Sequence, residues 1–221
     1  MQDAARAIIS FTDSLAYKKE RKQNEQPESE TTDSLSKIAG YLEYLRNKFR
    51  NNNAIKEMIK HQNLLRSITS LTIFKLNNHS NQEIDRLRLN VRYNSRECLN
   101  RIQFQGDAQD FADLVNVQYG KVICISLSTA GGIGEEDDEE IRNVLIYFYY
   151  FLREQHQGRN YPQPSFQPLP LLARSTKEQF EEEGAVEEIE AQIKNSGLNG
   201  SIKYFANGAK AETLNHFNNN N

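Results

Sequence analysis

The chain has 221 residues, 38% of them hydrophobic and 26% charged, with a net charge of −3. That balance describes a soluble protein with one large or two small domains, and it excludes a global basic field for non-specific nucleic-acid binding. Two cysteines in dissimilar contexts exclude a disulfide framework and favour a reducing compartment, so a cytoplasmic location is expected, with nucleus and cytoskeleton left open. The apolar run Val144 to Leu152 is far short of the roughly 20 residues a membrane span needs, and no secretory or mitochondrial leader is expected.

Residues 3–22 read as an amphipathic helix, with Ala5, Ile8, Ile9, Thr12, Leu15 and Ala16 on one face and a basic end at Lys18, Lys19, Arg21 and Lys22. Residues 24–32 carry Pro27 and no apolar side chain, which predicts a linker, so residues 1–33 form one N-terminal segment. The segment 34–156 reads as a helical domain. Asp33 or Ser34 caps its first helix, whose buried stripe is Leu35, Ile38, Leu42, Leu45 and Phe49, and Asn51 to Asn53 end it. A short helix at 54–61 and a longer one at 63–76 follow; one continuous helix is the alternative.

Ser80 stands three residues before Glu83, a capping-box spacing that starts a helix near Asn81. Its stripe is Ile84, Leu87, Val91, Cys98 and Ile102. Leu87, Leu89, Val91 and Tyr93 also alternate as a strand would, but the helical phase persists longer and decides the reading. On that helix Arg88, Arg92 and Arg96 stand four apart and form one exposed basic row, the candidate partner-binding residues for an acidic protein surface.

Residues 107–118 read as a short helix with Phe111, Leu114 and Val115 inward. Residues 121–129 are ambiguous between buried helix and strand, because VICIS is rich in β-branched side chains. Gly131, Gly132 and Gly134 break the chain before an acidic helix start at residues 135–140. From Asp138 onward, Ile141, Val144, Leu145, Phe148, Phe151 and Leu152 recur at helical spacing, with Ile146, Tyr147 and Tyr150 on the far side, which predicts the central buried helix. Four of five prolines lie within residues 162–170, so 157–170 is a loop or boundary. Residues 171–217 resume helix, with an interruption at Gly184, a stop at Gly197 and a cap at Ser201, and Asn218 to Asn221 form a frayed tail.

Two stretches resemble known families. KVICISLSTAGGIG, residues 121–134, resembles the strand and glycine loop of short-chain dehydrogenases, which implies a dinucleotide held at residues 130–134 of an α/β enzyme. Six carboxylates from Glu135 to Glu140 at the helix start oppose a phosphate, only one candidate strand is present, and no Tyr-x-x-x-Lys pair follows. No cofactor is therefore expected. Gly184 to Leu214 resembles an armadillo repeat: a glycine-led helix, a polar turn and a longer alanine-rich helix. That resemblance implies a stack of helices that binds other proteins.

His61, His79, His156 and His216 are isolated, with no four-residue pair to hold a metal on one helix face, and Cys98 and Cys124 fall on apolar phases. No catalytic, cofactor or metal residue is assigned. The reading is an all-α protein, either stacked armadillo/HEAT-like hairpins or an irregular helical bundle, acting as a non-catalytic adaptor or structural subunit. The alternatives are the dinucleotide enzyme and a nucleic-acid-associated helical subunit using the arginine row and Lys18 to Lys22; nucleic acid is not the expected partner.

Overall fold

Among the described residues the apolar periodicity produces helices. The structure is a computed structural model that describes residues 2–21, 31–49, 55–57, 61–76, 78, 80–128, 138–160 and 164–214. Among them no strand forms, and the one isolated antiparallel bridge joins Arg159 to Phe166. The helices are α1 (Gln2–Arg21), α2 (Thr32–Lys48), α3 (Gln62–Leu71), α4 (Gln82–Gln105), α5 (Ala108–Asn116), α6 (Tyr119–Ser128), α7 (Asp138–Gln157), α8 (Pro170–Glu182), α9 (Ala185–Ile193) and α10 (Ser201–Leu214). The fold is all-α. No described helix is long and apolar enough to cross a membrane.

The chain divides into two compact units, residues 1–106 and 107–221. The division falls inside the 34–156 stretch that periodicity alone keeps together, and the proline-rich loop lies within the second unit.

In the first unit α1 packs on α2 and α3, and α4 packs on the same two, so the four helices close a ring. Each turns an apolar stripe into it. All five expected residues of α2, from Leu35 to Phe49, are buried. On α1 the buried face is Ala4, Ala5, Ile8 and Phe11, rotated from the expected one, with Ala16 exposed. The Phe11 ring meets Phe74 edge-on at 5.7 Å, and this contact turns the helix. Thr12 and Ser67 share a hydroxyl hydrogen bond of 2.7 Å between α1 and α3. Capping shifts by a few residues from expectation. Thr31 rather than Asp33 accepts from the Ser34 N–H, and Asn81 rather than Ser80 accepts from the Ile84 N–H at 2.9 Å.

In the second unit the expected central helix, residues 138–156, shares the core with a shorter neighbour. The hub is α6, which packs on α5, α7, α8 and α9. Seven of its ten residues are buried, including Val122, Ile123, Cys124 and Leu127, so the β-branched run lies as helix against four neighbouring helices. Gly120 makes room for this: a Cβ there would stand 2.9 Å from Gln179 Oε1 and 3.0 Å from the Phe180 ring. Helix α7 packs on α6, α8 and α10 and buries Ile141 to Leu152 on one wide face, but it leaves Tyr150 exposed. Its rings build the core. Phe148 stacks on Phe180 at 3.9 Å, and Phe151 stacks on Phe111 at 5.3 Å while Tyr119 meets it edge-on.

Candidate functional site

The arginine row is the first place to test for a site, and its expected exposure is wrong. Arg88, Arg92 and Arg96 are 5, 1 and 5% exposed. The reason lies where α3 ends. Residues 72–76 unwind through turns to a positive φ of 50° at Lys75, with no glycine to close a helical cap, so carbonyls there need donors from elsewhere. Arg92 Nη1 donates to the Phe74 carbonyl at 3.1 Å, and Arg88 Nη1 donates to the Asn78 carbonyl at 2.6 Å and to Asp85 at 3.3 Å. The guanidinium forks close the end of a neighbouring segment. They are built into the unit and do not form an outward face.

A surface feature that the sequence reading passed over lies in the second unit. Helices α7 and α10 pack together and bring two aromatic pairs side by side: Tyr149 and Tyr150 from one, Tyr204 and Phe205 from the other. The rings run in series, Tyr150 to Tyr149 at 5.0 Å, Tyr149 to Phe205 at 6.3 Å, and Phe205 to Tyr204 at 5.2 Å. Between them opens a groove of about 280 Å³ lined by Tyr149, Tyr204, Phe205, Asn207 and Gly208. Gly208 lets the ring lie close, since a Cβ would stand 3.1 Å from the Tyr149 ring. Arg153 fixes that ring by donating to its hydroxyl at 3.0 Å and lying 5.5 Å over its face. At the open end Tyr204 is 71% exposed. A partial signal was present: consecutive residues on a helix point about 100° apart, so the four successive aromatics from Tyr147 to Tyr150 span more than one face, and the core takes Tyr147 and Phe148.

A second recess of about 350 Å³, lined by His156, Pro170, Arg174, Lys177 and Glu178 among others, has mixed charge. Arg174 pairs with Glu178 at 3.1 Å, and His156 Nδ1 meets Glu212 at 3.2 Å.

Among the described residues of the proline-rich loop, Arg159 makes contacts with both backbone and side chain. Arg159 exchanges both backbone hydrogen bonds with Phe166, donates from Nε to the Pro164 carbonyl at 3.3 Å, and pairs with Glu154 at 3.2 Å. Its guanidinium lies 4.8 Å from the Phe166 ring centre and 5.5 Å from that of Phe111. Burial outweighs Arg159 and Arg153 at Glu154, pushing its carboxyl up from 4.5 to about 6. Burial also lowers Arg159, against the pull of Glu154, Asp110 and Asp107. A carboxyl raised on folding binds a proton more tightly in the folded state, so its contribution to stability is fully present below pH 4.5 and lost as pH rises through 6. The wild type should gain melting temperature relative to Glu154→Gln as pH falls from 7 to 4.5; a constant difference across that window refutes the assignment.

Among the described residues no cluster of three or more His, Cys, Asp or Glu could hold a metal ion. The glycine loop 130–134, the carboxylates 135–137, and the side chains of Lys18, Lys19, Arg21 and Lys22 lie outside the described residues, as do 51–53 and 218–221. Cys98 and Cys124 are free and buried, and burial pushes both thiols far up. No protein-family model matches the chain, and neither do curated protein sequences or solved structures.

Proposed function

We propose that the chain is a non-catalytic protein-interaction module, an adaptor or structural subunit of a larger assembly, that holds a partner chain in the aromatic groove of α7 and α10. The observation that carries this is Tyr204, a large ring left 71% exposed at the end of a four-ring series beside a groove. Aromatic side chains supply much of the energy of protein interfaces because they bury large area with few torsions to order. The partner face thus moves from the buried arginine row to this groove. The packing of α9 on α10 supports the armadillo-like reading of residues 184–214 for that stretch. The ring of α1 to α4 supports the bundle reading for the first unit.

The test is comparative recovery of partners by the full chain and by Tyr150→Ala with Tyr204→Ala. Both positions are exposed, so melting should be unchanged, while recovery of the partner set should fall about thirtyfold or more, the scale of an interface hot spot. An identical set recovered by both proteins overturns the groove as the binding site.

A further inference from the structure

Two grounds weigh against nucleic acid: the chain as a whole is acidic, and the arginine row that would supply the cations is buried. The division into units removes the first. Residues 1–106 hold 18 Lys and Arg against 12 Asp and Glu, a net of +6, whereas residues 107–221 hold 9 against 18, a net of −9. The acidity belongs to the second unit alone, and the first unit is basic. A polyanion responds to the field within about 8–10 Å, and α2 itself carries Lys37, Arg46 and Lys48 against Asp33 and Glu43.

Helix α2 removes the second ground. Its inner stripe is Leu35, Ile38, Leu42 and Leu45, and on its opposite side Lys37, Tyr41, Tyr44 and Lys48 recur at i, i+4, i+7 and i+11, all exposed. Two rings therefore stand between two ammonium groups along one line of about 16 Å. Tyr41 and Tyr44 are 36 and 41% exposed. Gly40 lies beside them, and nothing stands within 4 Å of where its Cβ would be, which leaves the backbone beside the rings bare and open. The Lys48 ammonium lies over the Tyr44 ring, 5.5 Å from its centre, so a base stacking on that face displaces the ammonium toward its phosphate. Two carboxylates are near on the same helix. Asp33 is in its first turn, and Glu43 is on the flank, where Arg46 pairs with it at 3.5 Å.

We propose that this outer face of α2 binds single-stranded RNA, with bases stacked on Tyr41 and Tyr44 and phosphates against Lys37 and Lys48. Alternating rings and cations are what an unpaired strand requires, since each base offers a π face and each linkage a charge. An acidic peptide would use the lysines but leave the rings without a stacking partner. A duplex would present no free base faces. The two phenol hydroxyls can exchange hydrogen bonds with ribose 2′-hydroxyls, which commits the proposal to RNA over DNA. This face is in a different unit from the aromatic groove, so the inference stands independently of it.

The experiment is fluorescence anisotropy of a short labelled oligouridine titrated with the full chain across a series of salt concentrations. Binding should appear at low salt, with a slope of log K against log salt of about −1.4 if two phosphates are neutralised. Tyr41→Ala with Tyr44→Ala should weaken binding about fivefold or more per ring at unchanged melting temperature, leaving the slope in place. Lys37→Glu with Lys48→Glu should remove the slope. The proposal is overturned by no binding at the lowest salt, or by an unchanged affinity in the double tyrosine variant. It is equally overturned if oligothymidine or polyglutamate competes as well as unlabelled oligouridine.

Discussion

Arg88→Glu with Arg92→Glu should unfold residues 1–106. On the sequence alone the same pair of changes would be a surface charge reversal with almost no effect on folding, because exposed ion pairs contribute only about 0–1 kcal/mol. Burial reverses that. Arg92 is 1% exposed and donates to the Phe74 carbonyl, and Arg88 donates to Asn78 and Asp85. Glutamate at these positions places carboxylates against carbonyl oxygens and against Asp85, with every donor gone. Breaking one buried charged contact costs about 3–5 kcal/mol, and two such losses approach the whole stability of about 5–15 kcal/mol expected of a domain. The milder Arg92→Met keeps an apolar stem of similar length and loses the bond to the Phe74 carbonyl, for about 1–3 kcal/mol. Thermal denaturation of both variants checks this. A double-glutamate protein that melts like the wild type would show that the row is solvated after all.

Phe148→Ala should be the most damaging single core substitution in the second unit. The ring is fully buried and stacks on Phe180 at 3.9 Å with an interplanar angle of 17°, and α6 approaches Phe180 closely through Gly120. Removing it takes out the face on which α8 rests and leaves a cavity that rings on either side cannot fill without leaving their own stacks. The expected cost is about 3–5 kcal/mol. Chemical denaturation followed by tyrosine fluorescence would measure it. A loss below about 1 kcal/mol would mean that α7 and α8 can close over the gap.

Much of this was legible from the residues. The stripe Leu35, Ile38, Leu42, Leu45 and Phe49 is buried in full, because a strongly amphipathic helix has only one way to face a core. The persistence of helical phase to Ile102 correctly decided against a strand in α4. What failed was the equation of polar with outside. Arg88, Arg92 and Arg96 are in phase with each other, but periodicity carries no information about a carbonyl supplied by a turn outside the helix. The far side of α7 was misjudged for a related reason. Its longest apolar run is covered on one wide face, and Tyr150 stays exposed. The candidate groove was the least legible of all, since Tyr149 and Tyr204 become neighbours only when α7 and α10 pack, and no local pattern encodes that meeting.

The two thiols are distributed one to each unit. Cys98 sits in the closed ring of α1 to α4, its S–H directed at the Leu42 carbonyl at 3.5 Å, and Cys124 sits in the hub helix α6. Reaction with an alkylating or oxidising reagent requires a solvated thiolate, which neither position supplies while its unit is closed. The rate of modification at Cys98 therefore reports opening of the first unit, and the rate at Cys124 reports opening of the second. A single chain with its native residues thus carries two separate clocks, from which the breathing of each half can be read by mass spectrometry without a label being introduced.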